Sequence, residues 1–394
     1  MQRAGTAIVA GGSIAGLFAA AALLKAGWSV RVFERTAVEL AGRGAGIVTH
    51  QRLIDAFHSV GASTEDLGVA VEDRVAFDIA GALVKRLPYP QLVTSWDRIF
   101  QILRVLMPEG AYFLGRGITG YQETDTDVLA VFEDGSREEA DLIVGADGFR
   151  SAIRRQMLPD VQPQYSGYVV WRALADERVV PEDIFRDFGF FAPNGTQIVG
   201  YPIAGIQNDL SPGYRRYNFV WYSAAAKDEL RHMLTDAEGK YHAVSIPPPL
   251  VRDEVLAQME ADAAKRLPAT FVDIIRKSGR PFFTPIYDHC SPIFGEGRVA
   301  LVGDAACVAR PHVGMGVTKA AEDAVALARN VSSAPLEDAL QAYSEEREPK
   351  ARRAYKQARH LGALIFDTDG KTNQDGRSNP NLEEIMKETA VPVA

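Results

Sequence analysis

Apolar positions open the chain in a short run, residues 6–10. A glycine-rich segment follows, and then an Ala/Leu-rich stretch, 14–26, that stops at Gly27. A run too short for a helix, a tight loop and a stretch long enough for one predict strand, turn and helix, with Gly27 at the C-terminal cap. Residues 29–33 alternate around Val30 and Val32 until Glu34. The segment up to Glu34 therefore predicts one βαβ module, the opening of a parallel sheet. From Leu53 the pattern is mixed and is broken at Pro88 and Pro90. Ile99, Ile102, Leu103 and Leu106 then restore helical spacing over 98–107. Residues 128–132, the turn Glu133-Asp134-Gly135 and residues 141–144 predict sheet, running into Gly145-Ala146-Asp147-Gly148.

Between Tyr165 and Tyr222 the chain is rich in Tyr, Trp, Phe and Val, with turns at Pro193-Asn194-Gly195 and Pro212-Gly213. Such residues suit pleated, half-buried surfaces, so a separate and mainly antiparallel sheet is expected. A helical stretch over 252–266 follows Pro247-Pro248-Pro249, residues 299–302 give one more buried strand before Gly303-Asp304, and long helices are expected over 317–330 and 336–363. Beyond Asp367 the composition turns polar and predicts a loose tail. The organisation read from this pattern is a discontinuous nucleotide-binding domain (1–72, 96–164, 282–358), a second sheet domain (73–95, 165–281), and a C-terminal helix with its polar tail (359–394).

Composition narrows the classes of function. The 394 residues are 47% hydrophobic and 24% charged, typical of a folded soluble chain. A net charge of −8 disfavours nucleic acid and anionic membranes as partners. Cys290 and Cys307 are too few for a disulfide framework or a four-thiolate zinc site and fit a reducing, cytoplasmic setting. The longest apolar stretch, 14–24, meets Lys25 well short of the ~20 residues that span a bilayer, and its place in the βαβ module argues against a secretory signal. The remaining histidines show no zinc-protease spacing, and no metal is expected.

The first chemical signal is Gly11-Gly12-Ser13-Ile14-Ala15-Gly16, between the first strand and its helix. Gly11 permits the tight turn and Gly16 the close approach of helix and strand. The helix start at Ser13, Ile14 and Ala15 offers N–H groups to a diphosphate. Ser13 replaces the usual second glycine and adds a hydroxyl. Glu34 stands about 20 residues beyond Gly11, where an acid accepts both hydroxyls of an adenosine ribose. This much indicates a dinucleotide without saying which.

Two later loops, each after a strand, decide it. Asp147-Gly148-Phe149-Arg150-Ser151, and Gly303-Asp304-Ala305-Ala306 followed by Pro311 and Gly314-Met315-Gly316, resemble the second and third signatures of single-component FAD-dependent aromatic hydroxylases. Gly167-Tyr168-Val169-Val170-Trp171-Arg172, Tyr201-Pro202-Ile203, Arg216 to Tyr222, Ile246 to Pro249 and Ala309 to Gly314 further resemble the 2,6-dihydroxypyridine 3-hydroxylase group. The sequence departs from the family at Cys307, often His, and at Trp96, often Arg or Gln. The resemblance implies an α/β fold like that of para-hydroxybenzoate hydroxylase. A Rossmann-like FAD domain carries a mainly antiparallel substrate sheet and C-terminal helices. FAD would be held by Gly11, Ser13, Ile14, Ala15, Gly16, Glu34, Arg35, Arg43, Arg98, Asp147, Asp304, Pro311, Gly314, Met315, Gly316 and Val317. Asp304 would take a ribityl hydroxyl, and the helix starting near Val317 would face the flavin edge that becomes negative on reduction.

The same resemblance implies that NADH or NADPH docks transiently to reduce FAD, that O2 gives a C4a-hydroperoxyflavin, and that a hydroxypyridine or other phenol-like ring takes one oxygen. No second dinucleotide fingerprint occurs, in keeping with transient docking. A base that draws off the ring hydroxyl proton would raise the ring's electron density. His312 is the first candidate, the other reading being a histidine that only shapes its loop. Tyr201 and Tyr222 are candidates to orient a hydroxyl or ring nitrogen, against a reading as sheet packing. In the strand 218–222, period two puts Asn218, Val220 and Tyr222 on one face, expected to roof the pocket. The alternatives are a Baeyer–Villiger or epoxidising enzyme of the same fold, a flavin-binding redox module without turnover, and a colourless NAD-dependent dehydrogenase. The mixed surface of 336–363 is compatible with a homodimer.

Overall fold

The computed structural model describes residues 5–40, 45–366 and 379–393. Strand Thr6–Ala10, helix Ile14–Lys25 and strand Ser29–Phe33 form the βαβ unit, its strands parallel with Ala10 opposite Phe33. The helix is buried from Ile14 to Leu23 apart from Ala15, which is why its sequence lacks a polar stripe. Gly27, at φ 90°, follows its last turn. Leu142–Gly145 and Val299–Leu301 extend the parallel sheet on one side and Tyr112–Phe113 on the other, with Gly295–Glu296 as an antiparallel edge. The parallel strands share one direction, so the loops after Ala10, Gly145 and Leu301 leave the same end of the sheet. That is where a doubly wound sheet takes its ligand.

A second sheet runs in the order Cys307–Val308, Phe282–Cys290, Gln164–Asp176, Arg216–Ala224, Thr196–Ile203, Phe188–Phe191, Val69–Phe77, Leu83–Ser95, Gly46–Val48. All its pairs are antiparallel except Phe188–Phe191 with Val69–Phe77. One face buries Val169, Trp171, Phe219 and Trp221 under helices Lys227–Met233, Asp253–Arg266 and Ala269–Lys277. The opposite face carries Tyr168, Val170, Val199, Tyr201, Val220 and Tyr222. A small sheet, Ile118–Glu123, Val128–Phe132 and Arg137–Ala140, stands apart.

Two departures from the sequence pattern have simple causes. Pro88 and Pro90 lie inside strand Leu83–Ser95 rather than ending one. Over that stretch the strand has one partner among the described residues, and Tyr89 and Pro90 stand against Glu72 alone, so Pro90 sits in a bulge of this strand. Helix Trp96–Arg104 begins two residues early because the Ser95 hydroxyl accepts the Arg98 N–H at 3.1 Å.

The loose tail expected beyond Asp367 needs correction. Residues 367–378 lie outside the described residues, but Leu382–Glu388 is a helix whose Ile385 and Met386 are fully buried. Leu382, Ile385 and Met386 share one helical face, a signal drowned by the polar residues before them. The buried Arg74 guanidinium binds the carbonyls of Met386 and Thr389, and the Ala390 N–H donates to the His312 carbonyl at 2.8 Å. The end of the chain thus braces the loop around His312. No helix among the described residues is long and apolar enough to cross a membrane.

Candidate active site

A cavity of about 650 Å³ lies between the end of the parallel sheet and the tyrosine-bearing face of the large sheet. At one end it is walled by Ser13, Ile14, Ala15 and Arg35. Gly11 and Gly16 stand behind that wall. A Cβ on Gly16 would sit 1.8 Å from the Gly11 carbonyl oxygen, and one on Gly11, at φ 104°, would sit 2.5 Å from that of Ala146. Both positions require glycine. Ser13 caps the helix by its backbone alone, leaving its hydroxyl free beside the orphan N–H groups of the first turn. Glu34, 7% exposed, holds the loop in shape by accepting the Gly12 and Thr36 N–H groups, each at 2.9 Å.

The second loop enters through Asp147, Gly148, Phe149 and Arg150. One Asp147 oxygen accepts the Ala152 N–H at 2.6 Å, while its buried Oδ1 has no partner. Burial pushes this carboxyl up from the ordinary range. Arg35 and Arg150 both line the cavity, and neither makes a hydrogen bond or ion pair among the described residues. Burial first, then Arg35, pulls the Arg150 guanidinium down, an arrangement that an anion between the two would relieve.

The third loop is fastened from behind by residues that the sequence did not single out. Buried Lys319 donates to the Gly303 carbonyl at 2.7 Å, and Asp323 accepts the Gly303 N–H at 3.0 Å and the Arg347 Nε–H at 2.8 Å. Arg154 reaches the Phe149 and Ala305 carbonyls at 2.9 and 3.2 Å and the His289 Nε2 at 3.0 Å, tying the second loop to the third. Asp304 opens into the cavity and makes no hydrogen bond among the described residues. Burial pushes its carboxyl up, Asp323 adds to this, and Lys319 and Arg154 oppose it. Gly314, at φ 62°, turns the chain so that helix Gly316–Val331 starts at the cavity, with Gly316 and Val317 in its wall.

At the opposite end stand Tyr201, Tyr222 and His312, with Phe188, Val199, Val220 and Ile286. His312 is 1% exposed. Its Nε2 lies 2.9 Å from the Tyr168 hydroxyl, its Nδ1 3.3 Å from Gln197 Oε1, and its ring stacks on Tyr222 at 4.3 Å. An amide oxygen only accepts, which assigns the proton to Nδ1 and makes Nε2 the acceptor of the Tyr168 O–H. Burial, and then Arg310, push the imidazole down to about 3, so it is neutral at pH 7. Arg310 is itself paired with Asp288 at 2.6 Å. Burial pushes the Tyr201 hydroxyl up to about 12 and Tyr222 still further, so both stay protonated and serve as donors.

Of the residues proposed from sequence, Ser13, Ile14, Ala15, Arg35, Asp147, Tyr201, Tyr222, Asp304, Pro311, His312, Gly314, Gly316 and Val317 share this cavity wall. Gly11, Gly16, Glu34 and Met315 lie behind it. Arg98 does not reach it, its guanidinium donating to the Glu65 carbonyl at 2.6 Å, whereas Trp96 from the same helix does. Arg43 lies outside the described residues. Away from the cavity, His360, Glu384 and Glu388 bring their ligand atoms within 4.8 Å of one another.

Comparison with known proteins fits this geometry. A FAD-binding domain family matches residues 4–174 and 252–358, and a FAD-binding-domain-like family matches 165–288. The chain is 33% identical to the 2,6-dihydroxypyridine 3-monooxygenase of Paenarthrobacter nicotinovorans over 81% of either chain. The chain belongs to the FAD-dependent aromatic monooxygenases. This monooxygenase is also 29% identical to the 3-amino-4-hydroxybenzoate 2-monooxygenase PtnB3 of Streptomyces platensis, over 96% of the chain and 93% of the relative. The solved 2,6-dihydroxypyridine-3-hydroxylase of Arthrobacter nicotinovorans superposes with a TM-score of 0.86 at 28% identity, covering 96% and 98% of the two chains.

The monooxygenase's residues suit its cofactor, FAD. The helix start beside Ser13 and the two unpaired arginines suit a diphosphate, the unpartnered Asp147 and Asp304 oxygens suit hydroxyl donors, and the start of helix Gly316–Val331 presents N–H groups to the cavity.

Proposed function

We propose that this monooxygenase uses NAD(P)H and O2 to hydroxylate a hydroxypyridine or similar phenol-like ring at the tyrosine end of the cavity. The observation that carries the reading is the continuity of one cavity from the Ser13 helix start to the His312–Tyr222 wall. Nucleotide cradle and aromatic pocket are thereby faces of one chamber. Bound FAD, reduced by NAD(P)H, supplies an activated oxygen from O2, and the protein's task is to present an electron-rich ring to it.

His312, neutral and held through Nδ1–H by Gln197, lines this end of the cavity, and its Nε2 accepts the ring hydroxyl's proton when that hydroxyl takes the place of the Tyr168 O–H. An imidazole pushed down to about 3 is a weak base in the dry pocket, so it acts as a polarising acceptor rather than as a permanent cation. Tyr201 and Tyr222, both protonated, donate to ring oxygen or nitrogen and fix which carbon faces the flavin. The surrounding Phe188, Val199, Val220 and Ile286 keep water from this end. The solved and curated 2,6-dihydroxypyridine hydroxylases cited above support the ring class.

The test is a panel of hydroxypyridines and phenols scored for stimulated NAD(P)H oxidation and for product. We expect at least one to gain a single oxygen ortho or para to a hydroxyl. An oxygen placed beside a ketone or across an alkene would assign the rival chemistries, and NAD(P)H oxidation indifferent to every ring would overturn the proposal.

A further inference from the structure

Arg172 is a cavity-lining cation, among the described residues, that neither the fold nor the chemistry above uses. It sits in strand Gln164–Asp176, paired across the sheet with Val220 on one side and Phe282 on the other. Period two puts its side chain on the face of Tyr168 and Val170, away from Trp171 and Ala173. That face is the cavity wall, and Arg172 lines the cavity together with Val199, Val220, Tyr201 and Tyr222. Its field reaches both tyrosines and makes their hydroxyls easier to ionise, against the stronger effect of burial.

The guanidinium nevertheless has no ion-pair partner among the described residues. Its Nε is buried without a partner, and the side chain makes no hydrogen bond or ion pair among the described residues. The other arginines near this end are engaged: Arg310 with Asp288, Arg74 with the carbonyls of Met386 and Thr389. A buried N–H without a partner is unfavourable, and the planar guanidinium fork matches two oxygens of an anion. Here it is set beside the aliphatic and aromatic side chains of Val199, Val220, Tyr201 and Tyr222, whereas Arg35 lines the cavity with the Ser13 helix start.

We propose that Arg172 anchors the substrate through a negatively charged oxygen group, so that the ring hydroxylated here is an oxyanion. The group is a ring carboxylate or an ionised ring hydroxyl. This rests on the reading above that the tyrosine end receives the ring. An anion docked on Arg172 is held within reach of Tyr201 and Tyr222, with its ring fixed in azimuth by two charge-assisted hydrogen bonds. Where the anion is the ring oxygen itself, the charge held at Arg172 also enriches the ring that is attacked.

The test titrates the FAD-loaded enzyme with matched ligands and follows the flavin absorbance change as binding. One arm compares 6-hydroxynicotinate with 6-hydroxynicotinamide, which differ in the carboxylate. The other follows 2,6-dihydroxypyridine from pH 5 to 9, which varies the ring's ionisation. Wild type is expected to bind the charged member of at least one arm roughly 10- to 100-fold more tightly than the neutral one, as for a hydrogen-bonded ion pair. Arg172→Gln should erase that preference and leave neutral binding within about threefold, and Arg172→Lys should restore part of it. The arm in which the preference is lost names the source of the charge. If Arg172→Gln keeps the wild-type preference, or lowers FAD content instead, the anchor is overturned while ring binding stands. If no ring perturbs the flavin at all, the hydroxylation reading fails and the anchor with it.

Discussion

At the nucleotide end of the cavity, a Cβ on Gly16 would lie 1.8 Å from the Gly11 oxygen. At the other end, Tyr201 and Tyr222 come from two successive strands held in register, and His312 joins them from a loop far along the chain that the Ala390 N–H braces. The first arrangement is made of backbone. Its shape depends on where side chains are absent, on helix starts, and on polar atoms aimed by local turns. The second is made of side chains and depends on long-range pairing. Backbone sites tolerate almost no substitution and say little about specificity. Side-chain sites can be altered one group at a time, and there the choice of ring is made.

This contrast is sharpened most by Gly16→Ala. With no room for a methyl against the Gly11 carbonyl, helix and strand must separate. We expect a loss of about 3 kcal/mol or more in urea unfolding, together with loss of flavin absorbance. Next is Lys319→Met, which strips one partner from a buried charge cluster behind Gly303. A destabilisation of about 3 kcal/mol and a weakened hold on FAD are expected, read from the melting temperature with and without added FAD.

At the side-chain end, His312→Gln should slow hydroxylation by about 100-fold in stopped-flow traces and leave flavin reduction by NAD(P)H nearly unchanged. Equal slowing of both steps would return His312 to a loop-shaping role. A smaller effect concerns pH. His50, His289 and His312 are pushed down to about 4, 3 and 3 by burial. They are neutral in the fold and protonate more readily once unfolded. Their stabilisation is therefore complete above about pH 6.5 and is lost as pH falls toward their folded values, by up to about 2 kcal/mol each at pH 5. Asp147 and Asp304, pushed up, offset part of it. The urea midpoint should drop between pH 7 and 5, and His312→Gln should reduce the drop. Smallest is Ser95→Ala, which removes the cap of the helix carrying Trp96 and is expected to cost about 1 kcal/mol.

The same contrast explains what could be read from the chain alone. Glycine spacing after a strand, and Glu34 after the next one, report backbone constraints that are local in sequence, so the dinucleotide cradle was legible. So was the division of strand Arg216–Ala224 into two faces, because period two is local as well. Arg154, Lys319 and Asp323 were not, since a lysine and an aspartate one helical turn apart read as a surface pair. Only the tertiary fold places that turn beneath Gly303. Gln197 and Tyr168 were likewise invisible as the partners of His312, being 115 and 144 residues away. Arg98 illustrates the opposite error: a residue at a familiar offset whose side chain turns outward to Glu65 while Trp96 faces the cavity. The terminal helix was missed because three apolar residues within a polar stretch are too few to register, and the Arg74 guanidinium that donates to the Met386 and Thr389 carbonyls comes from a strand far earlier in the chain.

The most direct test of one chamber joining flavin and ring is turnover of the purified yellow enzyme under oxygen-18 gas with the hydroxypyridine that best stimulates NAD(P)H oxidation. The account predicts one labelled oxygen in each product molecule and tight coupling of product to NAD(P)H consumed. Hydrogen peroxide as the sole fate of O2, or an unlabelled hydroxyl in the product, would contradict it.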